Sequence, residues 1–431
     1  MQSEAKRDRR FFVFMIPAFV IWMIGEYFFP VFVTDQMNVL IPFFASQGWD
    51  PSMVTDPNSV GRLIGLPLPL LWGLLIIKLG PKKVFCGALF LYGFAELLIA
   101  THPSYIVFCI GMAALPGLGT ALLMSTFSLV KNWFRDWRGT ALGIVTFVSP
   151  VGNATSTSYM TAGANSIGFT STMSIIACIV MAVAAVGIFI VRDRPEQLGC
   201  HPDGALVAPP PERLLNDAHV NRIRLRHILS HKEAWAHMIM FGICGMALVV
   251  YPAFFMPRFT ELGFSPMQAT AFTYGFSLLG GALSLLSGVI DDKLGTRNAT
   301  IMIFALFFIG TIGLRFGSVD SPWMIWIGIV SLGGIVGAYP NLNPSMVAFI
   351  YGRKSFDRAF MYINTGVYIL PALGMSFVTR LYAVHGNYDL PYLWMVPIAF
   401  FGLVLVIFTR KSIDLTADVD RDITRNRQKT G

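Results

Sequence analysis

Gly73-Leu74-Leu75-Ile76-Ile77-Lys78-Leu79-Gly80-Pro81-Lys82 reappears as Gly288-Val289-Ile290-Asp291-Asp292-Lys293-Leu294-Gly295-Thr296-Arg297, 215 residues further along the chain. In each copy a long apolar run ends on a basic residue and a glycine, and another apolar run follows. A short polar phrase recurring at one point between two apolar runs marks a chain built twice on one plan. Where the runs are long enough to cross a bilayer, the plan is two membrane-embedded halves with matching internal loops.

Composition points the same way. Of 431 residues 55% are hydrophobic and 13% charged, with a mean hydropathy of +0.62, which excludes an ordinary soluble domain. Crossing the hydrocarbon core takes about 20 apolar residues in a helix. Twelve such runs are legible, at 11–45, 59–79, 84–101, 104–131, 139–162, 168–191, 234–259, 266–290, 298–316, 321–350, 354–382 and 391–410. Asp35 and Asn38 lie near the end of the first, so its outer portion is expected to leave the lipid early. The expected fold is an all-α membrane protein with twelve transmembrane helices in two six-helix bundles related by pseudo-symmetry. The bundles are residues 1–191 and 234–431, with a cytoplasmic linker at 192–233 and a short tail.

The linker is read from Arg192-Asp193-Arg194-Pro195-Glu196-Gln197-Leu198-Gly199, then Pro209-Pro210-Pro211, then Arg222, Arg224 and Arg226. Such a stretch cannot bury a core. Residues 221–233 suit a short helix on the membrane surface, carrying His227 and His231 at i, i+4 with His237 nearby. That spacing admits a metal, but interfacial side chains are the simpler account, and no metal is expected.

Of the 32 Lys and Arg residues, only Arg62, Arg258, Arg315 and Arg380 fall near the face opposite the Lys82, Arg138, Arg194, Arg297 and Arg353 connections. The positive-inside rule then puts both termini and those connections in the cytoplasm. The basic balance is a topology device and not a nucleic-acid footprint. The opening Lys6, Arg7, Arg9 and Arg10 run straight into a long span, so no cleaved leader is expected. Cys86, Cys109, Cys178, Cys200 and Cys244 have no partner in an external loop, and no disulfide is expected.

A second pair of features repeats at nearly the same offset. Lys131-Asn132-Trp133-Phe134-Arg135-Asp136-Trp137-Arg138-Gly139 joins spans four and five, and Arg353-Lys354-Ser355-Phe356-Asp357-Arg358 joins ten and eleven. Arg138 and Arg358 are 220 residues apart, Pro150 and Pro371 221.

The two loop phrases resemble the signature loop of the major facilitator superfamily, G-x-x-x-D-[RK]-x-G-[RK]. Trp133-Phe134 with Arg138-Gly139, Ala141 and Gly143, and the Pro195-Glu196…Gly199 exit from span six, resemble the branch of bacterial oxalate/formate antiporters and monocarboxylate porters. The resemblance covers essentially the whole chain. It implies the major facilitator fold, a central cavity and alternation between outward- and inward-open states. It also assigns Gly73, Lys78, Gly80, Arg138, Gly288, Asp292, Lys293, Gly295 and Arg297 to a conformational gate on the cytoplasmic side. In the family the loop acid joins a charge network that clamps this side shut. Here the acid is Asp292 in the second half but Ile77 in the first. The first-half clamp is therefore expected to lack a carboxylate, which biases the balance inward.

Ionisable groups deep in lipid are functional candidates. Glu26 lies about fifteen residues into the first span, near the midplane at ~1.5 Å per residue. Arg62 lies sixteen residues before Lys78 on span two, about 24 Å above the internal end by the same rise. Glu26 and Asp35 are candidate proton-coupling groups and Arg62 a candidate anion-binding group. The competing reading is a Glu26–Arg62 or Asp35–Arg62 ion pair that holds the helices together. Glu96, Arg258, Arg315 and Arg380 sit near outer span ends and read as snorkelling side chains.

In this fold spans one, four, seven and ten line the cavity, helped by two, five, eight and eleven. Span ten carries Tyr339-Pro340-Asn341-Leu342-Asn343-Pro344, where two prolines are expected to break the hydrogen-bond ladder. Asn341 and Asn343 there, with Asn153, Tyr274, Tyr362 and Asn364 elsewhere, complete the candidate substrate-binding set. Family members that carry dicarboxylates place cations on helices eight and eleven; the stretches around Ser284 and Val367 hold none, which favours a monoanion facing Arg62 or a weakly charged organic acid surrounded by Tyr, Phe and Asn.

The absence of G-x-x-x-x-G-K-[ST] argues against an ATP-driven pump, and no catalytic or zinc spacing stands out. The expectation is a non-enzymatic secondary transporter of a small organic acid, proton-coupled or exchanging, in the cytoplasmic membrane. It needs no cofactor; its partners are an organic small molecule and the lipid bilayer, with no nucleic acid, and a monomer is expected. The rivals are an exporter of amphipathic organic compounds and a non-transporting membrane sensor of the same fold. The short tails leave no room for a signalling domain of the kind such a sensor needs.

Overall fold

The computed structural model describes residues 8–102, 104–206 and 222–409, with 413, 415, 419 and 421 of the tail. At 38, 51, 52, 153, 154, 157, 256, 266, 270, 354, 375, 376, 379 and 383 the backbone alone is described. Residues 207–221 of the expected linker therefore lie outside the described residues.

Among the described residues nine helices are long and apolar enough to cross a bilayer, and a bent pair makes a tenth. In chain order the helices are α1 (Arg9–Pro30), a π-helical segment (Val31–Asp35), α2 (Met37–Ser46), α3 (Pro51–Gly65), α4 (Leu68–Leu79), α5 (Pro81–Thr101), α6 (Tyr105–Trp133), α7 (Arg138–Ile167) and α8 (Phe169–Ile190). There follow α9 (Leu225–Leu229), α10 (Lys232–Glu261), α11 (Pro266–Leu294), α12 (Thr296–Phe316), α13 (Pro322–Val367), α14 (Ile369–His385) and α15 (Asp389–Phe408). The expected spans at 139–162 and 354–382 are helical too, within α7 and across α13 and α14.

Three of the expected spans have a different shape. The first stays helical to Ser46, through the π segment, although Asp35 and Asn38 suggested an early exit. The second is broken: α3 and α4 meet at 61° around Leu66-Pro67, because proline disfavours helical geometry in the residue before it. The straight-helix height of Arg62 above the internal end therefore does not hold. In α13 the chain runs on through Pro340 and Pro344 and breaks instead at Gly352 (φ 74°, ψ 167°), which separates spans ten and eleven.

The chain forms two compact units. The first takes the described residues up to Trp137 and from Val145 to Leu206, the second Arg138–Ile144 and from Arg222 onward. Helix α7 is thus shared: its first two turns cluster with the second unit and its remainder with the first. In the first unit α5 packs against both α6 and α8. Between lipid and protein there is little hydrophobic difference, so such helices associate through close packing and polar contacts. In the second unit α13 packs on both α11 and α12.

The repeated phrase has one backbone geometry in both copies. Gly80 has φ 88°, ψ 150° and Gly295 φ 81°, ψ 149°; each ends one helix and starts the next. Only glycine takes this region without strain.

Residues 192–206 form a strap that closes the ends of the first unit's helices. The Asp193 carboxylate accepts Lys82 N–H at 2.7 Å, capping α5, and the Arg192 carbonyl accepts Trp133 Nε1 at 2.9 Å. Asp203 Oδ2 accepts Arg135 N–H at 3.0 Å and Asp136 N–H at 2.8 Å, and Gly204 accepts Asp8 N–H at 2.9 Å. The surface helix expected at 221–233 is the single turn and a half of α9, where His227 Nδ1 accepts Arg224 N–H at 3.2 Å. His227 is thereby part of a helix start.

Two stability tests follow from these local geometries. An added Cβ at Gly295 meets nothing within 4 Å, so Gly295→Ala carries only left-handed backbone strain, about 1–2 kcal/mol. A lower melting temperature of the detergent-purified protein is the expected outcome. Gly87→Ala, equally open but inside α5, is expected to leave it unchanged or higher. Burial raises the Asp203 carboxyl, with the two amide donors opposing. A carboxyl raised in the folded state favours folding fully below the ordinary range near 4, and that contribution is lost as pH rises through the raised value. Asp203→Asn keeps an oxygen for both amides, so it is expected to flatten this dependence without loss at neutral pH. Asp203→Ala strands both donors and is expected to cost about 1–3 kcal/mol in a melting series over pH.

Candidate functional site

The irregular stretch of the first span organises the polar interior of the first unit. Pro30 has no N–H, which leaves the Glu26 carbonyl without its helical donor. The π segment shifts the ladder further, with Gln36 N–H reaching Val31 O at 2.9 Å. Carbonyls freed this way inside a membrane need other donors. Each finds a side chain. Ser149 Oγ donates to Glu26 O at 2.9 Å, Tyr92 Oη to Phe29 O at 2.7 Å and Thr34 Oγ1 to Pro30 O at 2.7 Å. Gln36 Nε2 donates to Phe32 O, and Asn58 Nδ2 to Val33 O at 3.1 Å. The donors come from α3, α5, α7 and the irregular stretch itself, so three helices are pinned to the first span.

The ionisable groups stand around this knot. Arg62 makes neither expected ion pair. Its Nε donates to Asn58 Oδ1 at 2.9 Å and its Nη2 approaches Val33 O at 3.5 Å, and the side chain is otherwise exposed. Asp35 closes the π segment, half-buried, accepting Thr34 Oγ1 at 3.3 Å and Ser156 Oγ at 3.4 Å. Glu26 is buried with Oε1 unbonded. The knot keeps Arg62 off both carboxylates because Asn58 and the Val33 carbonyl hold its fork.

Two snorkelling assignments are corrected. Glu96 has 0% exposure and both carboxyl oxygens are without a hydrogen bond; it faces the interior of the first unit, beside Gln36. Arg258 is 1% exposed and pairs with Asp389 at 2.8 Å and Glu261 at 3.6 Å, its guanidinium 5.3 Å from the Tyr392 ring centroid. Arg315 joins the same Asp389 at 3.4 Å, so these arginines tie α10, α12 and α15 at one end of the second unit.

In the second unit the expected amides are bonded to protein. Asn341 Nδ2 reaches Ser284 O at 2.9 Å and Ser287 Oγ at 3.0 Å across the α11–α13 contact. Asn364 Oδ1 accepts Asn343 Nδ2 at 3.1 Å, and Asn343 Oδ1 meets His237 Nε2 at 2.8 Å, a buried chain whose far end, His237 Nδ1, is unbonded. Tyr274 is 72% exposed and Tyr362 half-buried. The Asn153 side chain lies outside the described residues.

The loop residues divide by role. Asp292 accepts Gly139 N–H at 2.8 Å and Thr140 N–H at 2.7 Å, so it meets the start of α7 and not a cation network. Anionic groups at helix N-termini are favoured by the orphan amides and the helix dipole. Gly139 and Gly288 permit this approach: a Cβ on Gly139 would stand 2.6 Å from the Gly288 carbonyl, and one on Gly288 would clash with the Gly139 carbonyl. Arg297 donates to the Thr409 and Ile407 carbonyls, both at 2.9 Å, capping α15. Gly73 is buried, Lys78 and Lys293 are exposed, and Arg138 is half-buried.

Sequence reasoning passed over Gln36, Asn58 and Tyr92. Asn58 lies just before the apolar run at 59–79, and no motif marks Gln36 or Tyr92. Pro30 signals that this span needs a donor from elsewhere, but the donor its missing N–H calls for is Ser149 on the Glu26 carbonyl, and nothing in the sequence marks the other three.

The chain matches the family model described as Major Facilitator Superfamily over residues 11–374, with a further match over 254–423. It is 26% identical over 274 residues to an MFS-type transporter of Gibberella moniliformis, covering 63% of this chain and 61% of that one. An uncharacterized MFS-type transporter of Bacillus subtilis, YcxA, is 24% identical over 270 residues, 62% of each chain. The matched stretch is thus less than two thirds of either relative. Among solved structures, the proton:xylose symporter XylE bound to 6-bromo-6-deoxy-D-glucose superposes with a TM-score of 0.69 at 13% identity, covering 94% of this chain and 99% of that one. The transporter FucP in its outward conformation gives 0.67 at 14% identity, covering 93% and 100%. At such identities these two speak to the fold, which is the twelve-helix arrangement expected above.

Tyr92→Phe deletes one hydrogen bond from the knot, the donation to the Phe29 carbonyl, a loss of about 0.5–1.5 kcal/mol. A clear drop in melting temperature is expected, whereas Tyr274→Phe, on an exposed side chain, is expected to leave it unchanged.

Proposed function

The chain belongs to the Major Facilitator Superfamily, and from that premise we propose that it is a secondary active transporter of a small organic acid of the monocarboxylate class. It works by alternating access across the cytoplasmic membrane, both termini on the cytoplasmic side, with proton symport or exchange as the driving reaction. The observation that supports this reading is Arg62: an exposed guanidinium on a membrane-spanning segment, bound to an amide and a carbonyl and, among the described residues, paired with no carboxylate. An intramembrane cation without a counter-ion has a standing attraction for an anion, and a guanidinium offers a carboxylate a charge-assisted pair of hydrogen bonds.

Glu26 and Asp35 are the groups proposed to carry the coupling proton. Glu26 lies in the protein interior and Asp35 at the end of the segment whose carbonyl holds Arg62, so proton and anion act on one helix. Asn341, Asn343 and Asn364 spend their polar atoms on neighbouring side chains, and in this reading they hold the helices of the second unit rather than meet the substrate. The likeness of the Trp133–Gly143 run and the Pro195–Gly199 exit to the oxalate/formate and monocarboxylate branch supports the same substrate class. The lack of cations near Ser284 and Val367 weighs against a dianion.

The test is uptake into proteoliposomes of labelled lactate, oxalate and a neutral aromatic compound, with and without an inward proton gradient. Saturable lactate uptake is expected, reduced at least tenfold by Arg62→Ala, which removes about 1.4 kcal/mol or more of anion binding. Glu26→Gln is expected to retain binding but lose acceleration by the gradient. Uptake of the neutral compound in preference to lactate, unaffected by Arg62→Ala, would replace this reading with the exporter of amphipathic compounds.

A further inference from the structure

Asn58 occupies a position that nothing in the transport reading yet uses. It is 4% exposed, and both ends of its amide are committed. Nδ2 donates to the Val33 carbonyl at 3.1 Å, and Oδ1 accepts Arg62 Nε at 2.9 Å. Arg62 Nη2 approaches that same Val33 carbonyl at 3.5 Å. One carbonyl, freed by the π segment, therefore anchors both the amide and the guanidinium, and the amide bridges them. Because Nδ2 faces a carbonyl, Oδ1 must be the end turned to Arg62, so the amide has one workable orientation.

The consequence is a defined orientation of the cation. A guanidinium has five N–H donors in a flat fork. Nε and Nη2 form one edge, and here that edge is taken by Asn58 Oδ1 and Val33 O. The opposite edge, Nη1 with the second hydrogen of Nη2, has no partner among the described residues and presents two parallel N–H bonds. Parallel donors at that spacing match the two oxygens of a carboxylate. A flexible arginine would lose much of its side-chain freedom on binding; one already held at Nε has less to lose.

We infer that Asn58 is the positioning residue of the anion site: it fixes Arg62 through Nε so that the free Nη1–Nη2 edge receives a carboxylate end-on. The assignment rests on the carboxylate-transport reading for its ligand, but the tether itself is a matter of geometry. It also joins the anion site to the π segment that ends at Asp35, so displacement of Arg62 and movement of the first helix go through one carbonyl.

Lactate uptake by the full-length protein in proteoliposomes tests it, with arginine labelling as a second measurement. Asn58→Ala is expected to raise the KM for lactate about tenfold with kcat changed less than about twofold, the loss of one hydrogen bond to a charged group. Asn58→Asp keeps an oxygen for Nε but sets a negative charge on the guanidinium, and saturable uptake is expected to vanish although the protein assembles. A merely structural amide would lower the melting temperature in both variants and leave KM where it was; that result overturns the inference. In detergent, the rate of phenylglyoxal modification at Arg62, mapped by mass spectrometry, is expected to rise several-fold in Asn58→Ala as Nε is released. If the wild-type protein moves no lactate, the transport reading falls, and the labelling rate still decides the tether: an unchanged rate overturns it.

Discussion

Inside a bilayer a backbone carbonyl that loses its helical donor has no water to turn to, and the first unit is arranged around that constraint. Pro30 removes the helical donor of the Glu26 carbonyl and the π segment Val31–Asp35 shifts the ladder, and side chains from α3, α5, α7 and the irregular stretch itself donate to the carbonyls of Glu26, Phe29, Pro30, Phe32 and Val33. A straight first helix would need none of these donors and would leave Ser149, Tyr92 and Asn58 as buried polar groups seeking partners. Irregularity and polar residues thus explain each other. The polar interior that results is also where Glu26, Asp35, Glu96 and Arg62 gather, consistent with the tendency of π-bulges to occur at functional sites.

At the helix ends the recurring device is a carboxylate on a pair of backbone amides. Asp203 takes the amides of residues 135 and 136, and Asp292 those of 139 and 140. The first lies in the strap of the first unit and the second in the second unit, and between them the chain passes from one unit to the other. Hydrogen bonds of ionised acceptors to amides are stronger than neutral ones and ask nothing of side-chain reach, so a loop acid works here without a basic partner.

The second unit handles buried polarity differently. Its amides and His237 pair among themselves, and its arginines at one end share Asp389. Groups that satisfy one another stiffen the packing and leave little for a ligand. In the first unit, by contrast, one edge of Arg62 has no partner among the described residues. That asymmetry is why the proposed anion site is placed in the first half of the chain.

Much of the architecture was legible in the chain itself. Apolar run length determined the all-helical spans, because that depends on residues adjacent in sequence and on the thickness of a bilayer. Asp292 could be singled out from its place in the phrase, but not its partner. Which polar groups meet was decided by tertiary structure alone: Phe29 with Tyr92, Val33 with Asn58, Glu26 with Ser149, His237 with Asn343. Such pairs are set by the rotation of each helix about its axis and by the bends at Pro30 and Leu66-Pro67. A shift of one residue turns a helix by about 100°, enough to exchange an inward side chain for one facing lipid. Arg258 and Glu96 read as snorkelling groups for that reason. Sequence records their depth in the membrane, and only packing records the direction in which they point.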